Sequence, residues 1–392
     1  MKRHLIVALG VALLATPTVQ AQAQAQAETA RTGPQQTPAK TGPLRTTSGT
    51  SLPAPTGKYP VGLASLHLVD SDRPDPWVPQ DGPRQLMVSL WYPAAKAGTR
   101  AAPYVTPQES ALILKPYPSV PADTLTKTRT YATVDAKPLA RGLPLVLISP
   151  GFSFSRATMT SLAEDLASKG YLVAAVEHTY ESVATTFPDG RTTTCAACAG
   201  ENTEEYGATI AKSRVIDLSF VLDRLTAKSG WGRLVDRSRI GMVGFSAGGN
   251  TTPQLMAADK RVRAGVNLDG SYNPKQPTGT VRGPLLMMGT KQTHTPAGDV
   301  SWVNWWPKVN GWKRWVSVAD TDHASFTDYA VIRPQVGLPA PALGGERAVS
   351  ITRAYVGAFL DRHLRQEREP LLDKPSKDFP EVTFWPETAS RR

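Results

Sequence analysis

The 392-residue chain has only two cysteines, Cys195 and Cys198, so disulfides cannot supply its framework and a packed core must. After its N-terminal segment it has no uninterrupted apolar run of the roughly 18 residues that a membrane span requires. It has no HExxH pair, no EF-hand loop and no histidine cluster, so no catalytic metal and no cofactor are expected. Lys and Arg outnumber Asp and Glu, 44 to 33, for a formal charge of +11. They form no run interleaved with aromatic residues, and nucleic-acid binding is not expected. The surplus charge reads as a surface property, suited to weak attraction to anionic lipid or cell wall. There is no internal repeat. Proline is in excess, 34 residues against the roughly 20 of average composition. Collagen, coiled coil and multi-span membrane proteins are excluded.

The N-terminus reads as an address. Lys2, Arg3 and His4 precede the apolar stretch LIVALGVALLA, and the following Ala-Gln repeat offers Ala-x-Ala cleavage sites ending at Ala23, Ala25 or Ala27. This is the layout of a secretory signal peptide over residues 1–27, with a secreted or periplasmic, soluble mature protein as the expectation. No cysteine follows for a lipid anchor. Residues 28–56 are rich in Pro, Thr, Gly and Ser and carry few large apolar side chains. Such a segment cannot bury enough surface to offset its ordering entropy, so a disordered leader is expected there.

From residue 57 to 385 one domain is expected. Residues 61–69 and 85–92 read as early strands, antiparallel partners. Six apolar runs follow, at 144–149, 171–177, 239–244, 262–268, 284–289 and 314–318. Continuous apolar runs suit strands covered on both faces. Between them, helical spacing appears over 155–169 (Met159, Leu162, Leu166), 208–227 (Ile210, Val215, Leu218, Val221, Leu222, Leu225) and 347–365 (Val349, Ile351, Tyr355, Phe359, Leu364). Alternating strands and helices predict an α/β fold, a mostly parallel, doubly wound sheet flanked by helices.

Gly244-Phe245-Ser246-Ala247-Gly248 follows the run RIGMVG and fits G-x-S-x-G at a strand-to-helix turn, the nucleophile elbow of an α/β-hydrolase fold. The turn is so tight that side chains at Gly244 and Gly248 would collide with backbone, and the serine is held strained with its hydroxyl exposed. A serine nucleophile needs a base and an orienting acid, here in the order Ser, Asp, His. Of the six histidines, His4 leaves with the signal peptide, His67 lies in an early strand and His178 precedes the serine. His363 sits among charged residues of the last helix, on a solvated face. His323, in a loop after the strand RWVSV, is the assigned base, with His294 as its rival. Asp269, ending the strand VRAGVNL, is the assigned acid; Asp320 and Asp322 are too close to His323 in sequence and are expected to shape its loop, and Asp299 is the remaining rival. The oxyanion donors are assigned to the N–H of Ala247 and, after the strand PLVLIS, the N–H of Phe152, with Gly151 letting that loop approach substrate.

Three further features carry two readings each. Cys195 and Cys198 form a small loop disulfide in an exported protein, or remain as thiols. Trp302, Trp305 and Trp306 form an apolar wall of the substrate cleft, or pack a helix on the sheet, as their near-helical spacing allows. His178, at the end of its strand, serves catalysis or hydrogen-bonds structurally, and the structural role is the expectation.

Several of these segments together resemble the platelet-activating-factor acetylhydrolase family, the lipoprotein-associated phospholipases. RQLMVSLWYPA is similar to that family's early strand, SPGFSFSR to its oxyanion loop, VAAVEHTYESVATTF to the next strand and loop, GFSAGG to its elbow and DHASFTDY to its histidine loop. The spacings of 23 residues from Ser246 to Asp269 and 54 from Asp269 to His323 are also similar. The resemblance spans about 57–365. It implies a calcium-independent, lipase-like serine esterase acting on short or oxidised acyl chains of phospholipids, by acylation of Ser246 and hydrolysis by water activated through His323. Many family members have His-Gly where this chain has Pro150-Gly151, and the Ser-Pro-Gly-Phe form is similar to bacterial cutinase-like polyester hydrolases. A polyester substrate is therefore the alternative, and a catalytically silent fold used for binding is a third reading.

Overall fold

The chain enters its sheet through a long hairpin. Val61–Pro74 (β1) pairs antiparallel with Pro83–Pro93 (β2), Leu68 opposite Leu86, and Ala132–Thr133 (β3) lies parallel to the start of β1. Six strands then run parallel: Leu143–Ser149 (β4), Leu172–Glu177 (β5), Val235–Phe245 (β6), Ala264–Leu268 (β7), Leu285–Thr290 (β8) and Lys313–Val318 (β9). Val382–Phe384 (β10) closes the far edge antiparallel to β9, giving the order β10-β9-β8-β7-β6-β4-β5-β2-β1-β3. This computed structural model describes residues 49–139, 141–201, 203–273 and 280–385. The signal-peptide assignment and most of the leader, residues 28–48, lie outside the described residues.

Side-chain alternation explains the layers. In β4, Val146 and Ile148 join one apolar cluster while Leu145 and Leu147 join another across the sheet; β5 and β6 split in the same way. On the first face pack Thr160–Ser168 (α2) and Gly345–Leu364 (α7), through Leu162, Leu166, Ile351, Tyr355 and Phe359. On the second pack Glu204–Leu225 (α3), Ala247–Ala258 (α4) and Val300–Trp305 (α5), through Leu218, Val221, Leu255 and Trp302. Each fully buried side chain of this size contributes roughly 1.5–3 kcal/mol, which is why two-sided burial, not propensity, holds the strands. Two short helices, Pro107–Leu114 (α1) and Tyr329–Gln335 (α6), contribute to a third cluster with Leu52, Tyr104 and Leu125. Neither carried a strong period, although Thr106 and Glu109 do form a capping box, a signal readable as T-x-x-E.

All eight apolar runs form strands, β1 and β2 are antiparallel, and the three periodic segments are helical. Two expectations are corrected. Residues 49–56 are part of the domain and not of a disordered leader: Leu52 is buried and donates its N–H to Arg129, and Arg353 holds the carbonyls of Pro53 and Ala54. One buried leucine and donors from 300 residues away decide this, which a composition window cannot register. His363 is not on a solvated face. It sits between the rings of Trp312 and Phe359, at 4.7 and 4.8 Å, and burial, then Arg362, push its pKa down to about 4. Among the described residues no helix is long and apolar enough to cross a membrane.

Candidate active site

The site collects at the carboxyl ends of the parallel strands, where open α/β sheets leave their loops free for chemistry. β6 runs into Ser246, which adopts φ 54° and ψ −116° before α4 begins at Ala247. That conformation is costly for a side-chain-bearing residue and persists because its surroundings leave no other path. The glycines on either side supply the room. A Cβ on Gly244 would lie 2.0 Å from the carbonyl oxygen of Gly248, and one on Gly248 would lie 2.0 Å from that of Ser149. Ser246 is further fixed by its N–H, which donates to Leu268.

β7 ends at Leu268, and Asp269 follows it, buried and at φ 55°. Asn267 braces the turn by bonding both the N–H and the carbonyl of Gly270. β9 delivers His323 on a short turn in which Asp322 and Ser325 cap each other and Asp322 also pairs with Arg333. Asp322 thus shapes this loop, and Asp320 lies at φ 58° with its carbonyl accepting the N–H of Leu343. The structure brings the three assigned side chains together: His323 Nε2 is 2.9 Å from Ser246 Oγ, and His323 Nδ1 is 2.5 Å from Asp269 Oδ2. The second Asp269 oxygen accepts the N–H of Thr290 at 2.6 Å. Burial pushes the Asp269 carboxyl up, but His294 and His323 outweigh burial and hold it below its ordinary value. The carboxylate is thus kept ionised, as an orienting acid must be. The imidazole of His323 packs on Phe245 at 4.8 Å, so its plane is set from two sides.

The loop after β4, Ser149 to Phe154, lies beside the elbow. Among the described residues neither the Phe152 nor the Ala247 N–H donates to a protein acceptor. A Cβ on Gly151 would sit 3.0 Å from the Phe245 ring and 3.1 Å from that of Phe154, so the glycine also lets these two rings pack closely on the loop. The loop is held from below by buried polar side chains; the structural hydrogen bonding of His178 was expected, whereas sequence reasoning missed Arg214, Glu181, Asp217 and Arg84. Arg214 of α3 donates to the carbonyl of Pro150 at 2.5 Å and pairs with Glu181 at 2.7 Å. His178 bridges Ser149 Oγ and Asp217, each at 2.9 Å, and burial, then Arg214, lower its pKa. Asp217 in turn pairs with the fully buried Arg84. The available signal was that Arg214 falls on the apolar stripe of its helix with Leu218, Val221 and Leu225. A charged residue on a buried stripe requires a buried partner.

Trp302, Trp305 and Trp306 are all buried in the second-face core, so the packing alternative is the one realised and no cleft wall is built from them. Trp302 stacks on His294 at 4.2 Å. His294 itself lies behind Asp269, away from Ser246 in the chain of contacts. Cys195 and Cys198 are joined in a disulfide within a single turn of the loop after β5.

The sheet topology, the strained serine between two obligatory glycines and the imidazole and carboxylate beyond it define an α/β-hydrolase fold, and the comparisons make the chain a carboxylic ester hydrolase. The model of the family described as platelet-activating factor acetylhydrolase, isoform II, matches residues 45–204 and 191–369, and the chain belongs to that family. It is 27% identical over 378 residues to a probable 1-alkyl-2-acetylglycerophosphocholine esterase of Arthroderma benhamiae, covering 85% of this chain and 93% of the fungal one. To a platelet-activating factor acetylhydrolase of Cavia porcellus it is 24% identical over 257 residues, 56% of this chain and 57% of the relative. A solved structure of a ferulic acid esterase from Streptomyces cinnamoneus superposes with a TM-score of 0.77 at 41% identity, covering 86% of this chain and 99% of that one.

Proposed function

We propose that the protein is an exported serine esterase that hydrolyses short-acyl carboxylic esters, phospholipids with short or oxidised acyl chains among them, through an acyl-enzyme on Ser246. The observation that carries this reading is the unbroken contact chain from Ser246 Oγ to His323 to Asp269 at 2.9 and 2.5 Å. His323 takes the serine proton as Oγ attacks the ester carbonyl, then returns it to the leaving alcohol. A water attacks the acyl-enzyme by the same route. The N–H groups of Phe152 and Ala247 stabilise the oxyanion, each worth roughly 3 kcal/mol in the transition state. Names of the relatives support an ester or phospholipid substrate. Export rests on the N-terminal pattern Lys2 to Ala27. The basic surface would favour anionic lipid or cell wall.

A second reading, a hydroxycinnamoyl ester as substrate, is favoured by the 41% identity to the ferulic acid esterase. Turnover of a short-acyl phospholipid, methyl ferulate, p-nitrophenyl acetate and a polyester film separates these substrates. The serine mechanism is tested by fluorophosphonate labelling of the mature protein. Label on wild type and none on Ser246→Ala is expected; equal labelling of both, or none on wild type, would sink it.

A further inference from the structure

His294 is absorbed by no step of the reaction, yet it is built into the site from every side. Its Nδ1 lies 2.6 Å from Asp299 Oδ2 and its Nε2 lies 3.2 Å from Asp269 Oδ1. Both ring nitrogens therefore face carboxylates, and a neutral imidazole has only one N–H to offer. A lone pair would have to point at one of the two anions, in a place where the ring is 2% exposed and water cannot screen it. Neither carboxylate can turn away. Asp269 Oδ1 also accepts the N–H of Thr290, and Asp299 caps α5 by accepting the N–H groups of Ser301 and Trp302. The ring cannot turn away either. It stacks on Trp302 at 4.2 Å and 23°, an arrangement that favours a cation, and its carbonyl accepts from Trp315 Nε1 and Ser317 Oγ. Gly289 on β8 leaves the space: a Cβ there would sit 2.5 Å from the His294 ring.

Resting on the serine-esterase reading above, we propose that His294 is a positioning residue, a buried imidazolium clamped between Asp299 and Asp269 that holds the Asp269 carboxylate ionised and aimed at His323. Among the described residues the charged groups in contact with it are Asp269, from the end of β7, and Asp299, at the start of α5; β8 and β9 present Gly289, Trp315 and Ser317. Burial alone would lower the His294 pKa, and the two carboxylates outweigh it and raise it. The positive end of the clamp faces Asp269 and makes a second positive charge on His323 less favourable. Losing the imidazolium alone would leave two carboxylates, Asp269 and Asp299, and no cation on that side of His323. Asp299 balances the charge, so the site keeps the net −1 that supports the imidazolium of the transition state.

Two measurements test this on the full chain. Long-range proton–nitrogen correlation spectra of histidine-labelled protein report which ring nitrogens carry protons. One histidine doubly protonated at pH 7, with signals lost in His294→Gln and moved in Asp299→Asn, is expected; a neutral tautomer for His294 at pH 7 overturns the proposal. The acid limb of kcat/KM is expected to move up by about one pH unit in His294→Gln and by less in His294→Gln/Asp299→Asn, with activity recovering toward high pH. A uniform loss with an unmoved limb means a merely structural histidine and also overturns it. If His294→Gln does not fold, Asp299→Asn serves for the spectral assignment and the double variant for the limb. Fluorophosphonate labelling in the same samples keeps the two readings apart. Without label on wild-type Ser246 the serine reading fails and the assigned role with it, whereas label together with a neutral His294 defeats the clamp alone.

Discussion

Arg214 holds the carbonyl of Pro150 at 2.5 Å and reaches that of Gly151 at 3.4 Å, from a helix 63 residues further along the chain. In a trans peptide the carbonyl and the following N–H point in opposite directions. Drawing the Gly151 carbonyl toward Arg214 therefore turns the Phe152 N–H away from Arg214.

A prediction follows for Arg214→Met combined with Glu181→Gln, which removes both members of the buried pair and leaves no uncompensated charge. The kcat should fall by about 10- to 100-fold while KM stays within about threefold, because an oxyanion donor acts on the transition state more than on the bound ester. Affinity for a trifluoromethyl ketone, which forms the oxyanion, should drop in parallel. A rise in KM at constant kcat would mean instead that the loop contacts bound substrate.

Asp269→Asn should lower kcat by roughly 10³–10⁴-fold with little change in KM, since an amide in that place presents a donor to His323 Nδ1 and favours the wrong tautomer. Steady-state kinetics with p-nitrophenyl acetate reads this directly. A loss under tenfold would remove Asp269 from the role its 2.5 Å contact suggests.

Gly248→Ala should destabilise the domain by about 1–3 kcal/mol and abolish activity, because its Cβ would meet backbone, the Ser149 carbonyl, at 2.0 Å. Backbone at the centre of a sheet cannot give way as a flexible side chain would. Thermal unfolding beside Gly337→Ala, whose Cβ meets nothing within 4 Å but whose φ of 75° adds strain alone, separates collision from conformation.

How far the sequence carried is a matter of range. Ser246, Asp269 and His323 were findable because each stands just beyond an apolar run that forms a strand, and strand ends converge in this topology. The layers were findable because β4 to β9 carry apolar runs that only two-sided burial satisfies. What stayed hidden depends on partners far away in the chain. The Arg214–Glu181 pair spans 33 residues and Arg84–Asp217 spans 133, and neither shows as a local pattern. Leu52 looked like leader because its neighbours are Ser, Pro and Gly; its burial depends on contacts with residues near Arg129.

Glu164 gives the last prediction, on stability against pH. It is fully buried in α2. Its Oε1 accepts the N–H groups of Tyr131 and Ala132, while its Oε2 has no partner among the described residues. Burial, only partly offset by those bonds and by Arg353, pushes its pKa up to about 7. Asp328, which faces the same cluster, is likewise pushed up to about 7 by burial. A carboxyl whose folded pKa lies above its unfolded one costs nothing while protonated in both states. Its cost grows as pH rises from the unfolded pKa toward the folded one and is complete above about 7. The domain should therefore lose stability from about pH 4.5 to pH 8 through these two groups. Glu164→Gln keeps the Oε1 acceptor and removes the ionisation. It should match wild type near pH 4 and exceed it by about 3 kcal/mol at pH 8 in urea unfolding. An equal difference at both pH values would mean that packing, and not the ionisation of Glu164, sets the effect.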